Sequence, residues 1–211
     1  DGVGKQFTMH GPQHTTRDSF VGNTSSIVFD GSDDYIEIDA TSFRPGADDF
    51  TVDFWYKTAP EMEEDRDRIF RSHTGLIIQT YRDGTSNTPD RLYVNAPMSG
   101  TNELVLNMTA IEDHLHNNIW HHISVVKAAN TTCFAYIDGK MMLSTTTNVA
   151  STMDDNTKVT IGGDGTYHAG GYLDEIRTMV GTADKPQIKF THTQTAGAGN
   201  KDAYDVHGWR A

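Results

Sequence analysis

The chain has a single cysteine, Cys133, among its 211 residues, which excludes an internal disulfide framework. Its stability must come from apolar packing, and a domain of this length can build a sizeable core. Positive charge is also scarce. Lys and Arg number 17 against 29 Asp and Glu, a formal net charge of −12 that would repel nucleic-acid phosphates. That balance suits a soluble surface, or a hard cation such as calcium that takes oxygen ligands. No apolar run approaches bilayer-spanning length, so membrane insertion is not expected. Long amphipathic helical patterns are missing too, and only 6 prolines accompany 19 glycines, as in a turn-rich globular chain. The first residues, Asp1-Gly2-Val3, carry no Met and no signal-like apolar stretch, and read as a processed chain or an excised piece.

What is present is period-two alternation. It marks Tyr35 to Asp39, Phe50 to Thr58, Leu76 to Arg82, Arg91 to Asn95, Glu103 to Thr109, Trp120 to Lys127, Thr132 to Asp138 and Val159 to Ile161. These runs are rich in Ile, Val, Phe, Tyr and Thr, and Gly, Asp and Asn clusters separate them. Asp138-Gly139, between two such runs, is a hairpin signal of the type that needs positive φ. About a dozen short strands imply two packed antiparallel sheets or a barrel. Cys133 lies within one strand-like run and reads as a small buried thiol, with no basic neighbour to activate it.

Three connections are polar: Ala59 to Arg68 (APEMEEDRDR), read as a solvated charged excursion, Asp83 to Asp90, and Ser144 to Asn156. Residues 1–192 read as one domain. From Thr193 to Ala211 the composition shifts to Gly, Ala and polar residues, as in a tail. Tyr204 and Trp209 in that tail need a surface to pack on, which points to an assembly contact and an oligomeric setting.

Four blocks occur in order: Ser26-Ile27-Val28-Phe29-Asp30-Gly31 with Asp34-Tyr35-Ile36, Phe50-Thr51-Val52-Asp53-Phe54-Trp55, Trp120-His121-His122-Ile123-Ser124-Val125-Val126, and Gly171-Tyr172-Leu173-Asp174-Glu175-Ile176-Arg177. Together they resemble the laminin-G-like jelly roll of the concanavalin A-like superfamily, in the version found in bacteriophage virion and bacterial surface proteins. The resemblance covers roughly residues 5 to 192. It implies an all-β jelly-roll sandwich of two antiparallel sheets, a fold shared by lectins, adhesion modules, virion decorations and enzymes.

Hydrolases of that superfamily carry three acids on one strand, two of which act about 5 Å apart. Glu37 and Asp39 share a strand face, but Ala40, Thr41 and Ser42 follow, so the third acid is missing. The strand also precedes the aromatic strand Phe50 to Tyr56 instead of following it. Alternation accounts for the acids as outward residues beside inward Ile36 and Ile38, and no catalytic residue is assigned. Ten histidines include His114, His116, His121 and His122, which read as ordinary loop and strand residues rather than zinc ligands.

Asp174 alternates onto the side of Tyr172 and Ile176, taken as the packed side, where a lone carboxylate needs a partner. The resemblance implies a structural calcium there, held by Asp174 and by carbonyls of the turn at Gly31. Pairing with an arginine, or capping of turn amides, is the alternative. If Phe50, Val52, Phe54 and Tyr56 face the core, then Asp53 and Trp55 face away, and similar alternation turns out Gln79, Tyr81, Tyr93 and Asn107. Rings interleaved with amides and an acid are the ingredients of a sugar-binding face, while a loop crossing over Trp55 would leave these as ordinary strand residues. Asn23-Thr24-Ser25, Asn107-Met108-Thr109 and Asn130-Thr131-Thr132 match the N-glycosylation pattern.

These readings lead to a non-enzymatic virion surface module (decoration, fibre or tail) with an adhesive or carbohydrate-binding role. Its partners would be other virion or surface chains and cell-surface glycans. The alternative is a carbohydrate-binding or adhesion domain of a longer secreted protein. A glycan hydrolase is disfavoured by the missing acids.

Overall fold

The computed structural model describes residues 7–16, 18–20, 25–39, 43, 45, 48–59, 66–72, 76–81, 91–95, 103–107, 115, 118–128, 132–145, 158–181, 189–193 and 203–207. Of these, 91, 103–107, 143, 145, 189–193 and 203–207 are described by their backbone alone. The strands are β1 (Phe7–His10), β2 (Gln13–Thr15), β3 (Ser26–Asp30), β4 (Tyr35–Ile38), β5 (Phe50–Thr58), β6 (Arg66–Ser72), β7 (Ile77–Tyr81) and β8 (Arg91–Asn95). They continue with β9 (Glu103–Asn107), β10 (His121–Ala128), β11 (Thr132–Ile137), β12 (Lys140–Thr145), β13 (Val159–Ile161), β14 (Gly170–Val180), β15 (Lys189–Thr193) and β16 (Ala203–His207).

Two seven-stranded antiparallel sheets result. Sheet I has the order β1-β4-β13-β6-β7-β8-β9, and sheet II the order β12-β11-β10-β5-β14-β3-β2. Strands distant in sequence lie side by side, β5 between β10 and β14, and β13 between β4 and β6. This is the crossed connectivity of a jelly-roll sandwich.

The alternation of β5 builds the core. Phe50, Val52, Phe54 and Tyr56 all face sheet I and are at most 1% exposed. They meet Ile36, Phe70, Ile78, Leu92, Val94, Val159 and Ile161 from sheet I, and Ile123, Val125, Ala135 and Leu173 from their own. Each such side chain contributes about 1.5–3 kcal/mol on burial. Cys133 is part of this core, and burial pushes its thiol up to about 12, so it is an inert apolar filler.

One acid also lies between the sheets. Asp67 of β6 is 2% exposed and accepts hydrogen bonds from the Tyr56 hydroxyl (3.0 Å) and the Thr80 hydroxyl (3.2 Å), polar partners that offset its loss of water. The Tyr56 oxygen also lies 3.0 Å from the Gly170 carbonyl, so this group ties β5, β6 and β14 together. Burial first, then Asp67, raises the Tyr56 phenol well above its ordinary value.

Asp138 and Gly139 both take positive φ (51° and 72°) and join β11 to β12, the twist-matched hairpin that the dipeptide signals. Gly171 has a different reason. At φ 122° an added Cβ would lie 2.2 Å from the Lys57 carbonyl, so only glycine lets β14 approach β5 here.

The charged segment from Ala59 differs from its expectation. β6 begins at Arg66, because the period-two set Arg66, Asp67, Arg68 turns its acid inward and its cations outward. Thr193 ends β15, which pairs only with β16 in a separate two-stranded sheet, each strand following its partner from Lys189↔His207 to Thr193↔Ala203.

Candidate functional site

The outer face of sheet II is covered at Trp55. Trp55 points away from the core yet is only 6% exposed, because the ring of Phe20 stacks on it at 3.4 Å between centroids and 11° between planes. The segment 18–20 is fixed at both ends. Asp18 accepts from the Trp120 indole (3.1 Å) and pairs with Lys57, while the Phe20 N–H donates to Asp174 (3.1 Å). Asp53 accepts from Nε and Nη2 along one edge of the Arg177 guanidinium (2.8–3.2 Å), with His122 Nε2 3.7 Å away. His121 pairs with Asp138 through Nδ1 at 2.7 Å. His114 and His116 lie outside the described residues, as do the glycosylation-pattern residues Asn23 and Asn130.

Asp174 is on this outer face, not on the packed side. Its register partner is Trp55, and the inward residue beside it is Leu173. A bulge with Glu175 at φ 50° inserts a residue, so Ile176 turns to the core while Arg177 returns to the outside and reaches Asp53. The Asp174 carboxylate accepts the Phe20 and Glu175 N–H groups, which matches the amide-capping alternative.

Gly31 follows the residue paired with Gly170, four positions along β14 from Asp174, or about 13 Å of strand. Gly31 and Asp174 therefore do not fit a single calcium site. Carboxylates do gather at the turn after β3, where oxygens of Asp30, Asp33 and Asp34 lie within 4.8 Å of one another. Two of these acids already serve the turn: Asp30 accepts from Ser32 and Asp33 N–H, and Asp34 accepts from Asp30 N–H. Burial raises the Asp34 carboxyl above its ordinary value.

The expected ligand residues are thus divided. Asp53 and Trp55 sit on sheet II, whereas Gln79, Tyr81, Tyr93 and Asn107 belong to sheet I. Neighbouring strands align the second group: Arg68↔Gln79↔Tyr93 in one row, and Arg66↔Tyr81↔Arg91↔Asn107 in the next. Because Phe70, Ile78, Leu92 and Val94 point inward, this group lies on the outer face of sheet I.

Sequence reading missed the arginines and the hairpin that complete this face. The turn between β13 and β14 brings Asp164 and Tyr167 over β6. Asp164 bonds Arg68 (2.7 Å) and Arg71 through one oxygen, and the Thr166 and Tyr167 N–H groups (3.0 Å each) through the other. Burial opposes its ionisation, but the Tyr167 N–H, Arg68, the Thr166 N–H and Arg71 outweigh it and hold the carboxyl below its ordinary range. The Arg66 guanidinium packs over the rings of Tyr81 (5.2 Å) and Tyr167 (5.0 Å), and Arg68 lies 5.1 Å from the Tyr167 centroid.

Beneath the rings, Gln79 is 2% exposed and Arg68 5%, and among the described residues neither Gln79 Oε1 nor Arg68 Nε has a hydrogen-bond partner. Tyr81, Tyr93 and Tyr167 are each half-buried. The signal in the sequence was the spacing Arg66-x-Arg68, hidden by the acidic run before it. Glu37, on the same sheet, is ion-paired with Lys158.

Two antiparallel sheets packed as a jelly roll are the architecture of the concanavalin A-like class. Residues 30–189 match the laminin-G-like family model described as the concanavalin A-like lectin/glucanases superfamily, and the chain belongs to that family. No curated protein matches by sequence.

Solved structures share the fold. The binding domain of Paraclostridial Mosquitocidal Protein 1 superposes with a TM-score of 0.59 at 16% identity, over 84% of this chain and 43% of that one. The binding domain of Botulinum Neurotoxin DC in complex with SialylT gives 0.62 at 10% identity, over 87% and 45%. Domain 4 of AbnA, a GH43 extracellular arabinanase from Geobacillus stearothermophilus, in complex with arabinotriose, gives 0.57 at 16% identity, over 82% and 81%. The chain spans less than half the length of the toxin binding domains it matches. Among the described residues, no helix is long and apolar enough to cross a membrane.

Proposed function

We propose that the protein is a non-enzymatic glycan-recognition module whose binding face is the outer side of sheet I. The observation that carries this reading is the grouping of the half-buried Tyr81, Tyr93 and Tyr167 at one outer sheet face, with the Arg66 guanidinium packed over the rings of Tyr81 and Tyr167. Tyrosine faces pack on the C–H patches of a sugar ring, and fixed planar polar groups select its hydroxyls. Similarity to binding domains, one solved with SialylT and one with arabinotriose, supports it. The non-enzymatic part rests on the pairing of the acids: Glu37 is engaged by Lys158, and Asp164 by two arginines.

The setting we propose is the surface of a virion or another extracellular assembly. The separate β15–β16 hairpin supports this, since two strands alone are marginal in water and gain from a neighbouring surface. A domain of a longer secreted protein would use the same face.

A glycan array probed with the purified protein tests the reading. Saturable binding that falls about fivefold or more in Tyr93→Ala, with the fold intact, is expected, since stacking on one ring is worth of order 1 kcal/mol. Binding unchanged in Tyr93→Ala and Tyr81→Ala would remove this face from consideration.

A further inference from the structure

We infer that this face is built for an anionic sugar, one bearing a carboxylate or a sulfate ester, with Arg66 as its principal anchor; the inference rests on the glycan-binding reading above. Three arginines, Arg66, Arg68 and Arg71, converge where β6 passes under the β13–β14 hairpin. They face one carboxylate, Asp164, which Arg68 and Arg71 share. Arg91 continues the row Arg66↔Tyr81↔Arg91↔Asn107, whereas Glu103 pairs with Asn95 at the opposite end of β8. The described side chains at the cluster therefore carry three positive charges against one negative, on a chain whose net charge is −12.

Arg66 is the unmatched cation. Among the described residues its contacts are the rings of Tyr81 and Tyr167, and it forms no ion pair there. Rings that pack against a guanidinium restrict it without using its N–H groups, which leaves a preorganised fork for two anionic oxygens. Lysine, a flexible point charge, would not reproduce that geometry. Arg68 on the same face is held by Asp164 and packs against the Tyr167 ring, which fixes the wall beside that fork. Burial lowers the Arg68 guanidinium from its ordinary value, opposed by Asp164, yet arginine stays charged throughout the working range of pH.

The test uses matched glycans immobilised side by side: sialyllactose with lactose, oligogalacturonate with its methyl ester, and dextran sulfate with dextran. Acidic members are expected to bind at least about tenfold tighter than their neutral partners, with binding weakened by salt. Arg66→Gln should lose about ten- to a hundredfold for the acidic members, the span of a charged hydrogen bond, and Arg66→Lys should restore only a small part. The first two pairs read carboxylate and the third reads sulfate.

Equal binding of neutral and acidic members, still abolished by Tyr93→Ala, would overturn the anion inference and leave the glycan reading intact. Acidic binding that survives Arg66→Gln, in protein with an unchanged circular dichroism spectrum, would also overturn it. A blank array with folded protein would remove both readings.

Discussion

Replacing Trp55 with alanine is expected to weaken the fold without weakening recognition. The indole is 6% exposed, sandwiched between the Phe20 ring at 3.4 Å and the sheet, with His122 5.1 Å to one side. Truncation removes that buried area and leaves a hole beneath a segment fixed by Asp18 and by the Phe20–Asp174 hydrogen bond, so the site cannot collapse freely. Core Trp→Ala changes of this kind cost about 3–5 kcal/mol. For a domain of this size each kcal/mol lowers Tm by about 2–4 °C, giving an expected loss of about 6–20 °C. Urea titration at constant m-value measures the same quantity isothermally. The binding face is on the other sheet, so the affinity of the folded variant should stay within about twofold of the parent. A variant with nearly unchanged Tm but at least tenfold weaker binding would refute the placement of Trp55 beneath Phe20 and return it to the ligand.

Two further outcomes follow from the same contacts. The Asp164 carboxyl titrates below its unfolded value, so its stabilisation is complete above about pH 4 and fades as pH falls through the lower folded value. Asp164→Asn should therefore cost about 3 kcal/mol at pH 7, at the low end for a buried pair because Arg71 is 30% exposed, and should flatten the acid limb of stability between pH 5 and about 2; parallel limbs for the two proteins would refute this. Removing divalent ions with EDTA should leave glycan binding unchanged, since the face offers arginines, tyrosines and an amide, and Asp164 is already held by two guanidinia. Loss of binding with EDTA, restored by calcium, would refute it.

Much of the fold was legible because alternation is a local signal. The inward set Phe50, Val52, Phe54 and Tyr56 follows from four apolar residues at a spacing of two, and the Asp138-Gly139 turn from two residues that tolerate positive φ. What escaped depends on contacts between distant segments. Nothing in Tyr172 to Arg177 marks Glu175 as a bulge, so the alternation that put Asp174 beside Ile176 on the packed side failed one residue after Asp174 itself. Trp55 reads as exposed until segment 18–20 is laid across it. β6 was hidden for a different reason. Its inward acid, Asp67, is unreasonable in a core strand until the hydroxyls of Tyr56 and Thr80 are brought to it from other strands. Once β6 is a strand, Arg66 and Arg68 fall onto the face that already held Gln79, Tyr81 and Tyr93. The candidate site was thus half legible, its tyrosines and amide found by alternation and its charge missed.

The two outer faces handle charge in opposite ways. On the outer face of sheet II, Asp53 meets Arg177 and Lys57 meets Asp18, so each of these charges is matched where it stands. On sheet I, the arginines outnumber the acid they share, and Arg66 spends its contacts on two rings. In a chain of net charge −12, the general field repels an anion arriving from solution, so a local positive patch is the place where approach becomes favourable. A neutral sugar would gain little from such an arrangement, because hydroxyls are served as well by amides and neutral hydroxyls. An acidic sugar gains in orientation and in encounter rate, and the repulsive surroundings discourage it from settling elsewhere. Added salt should then act mainly by slowing association, while Arg66→Gln, which removes the bonded fork itself, should mainly hasten release.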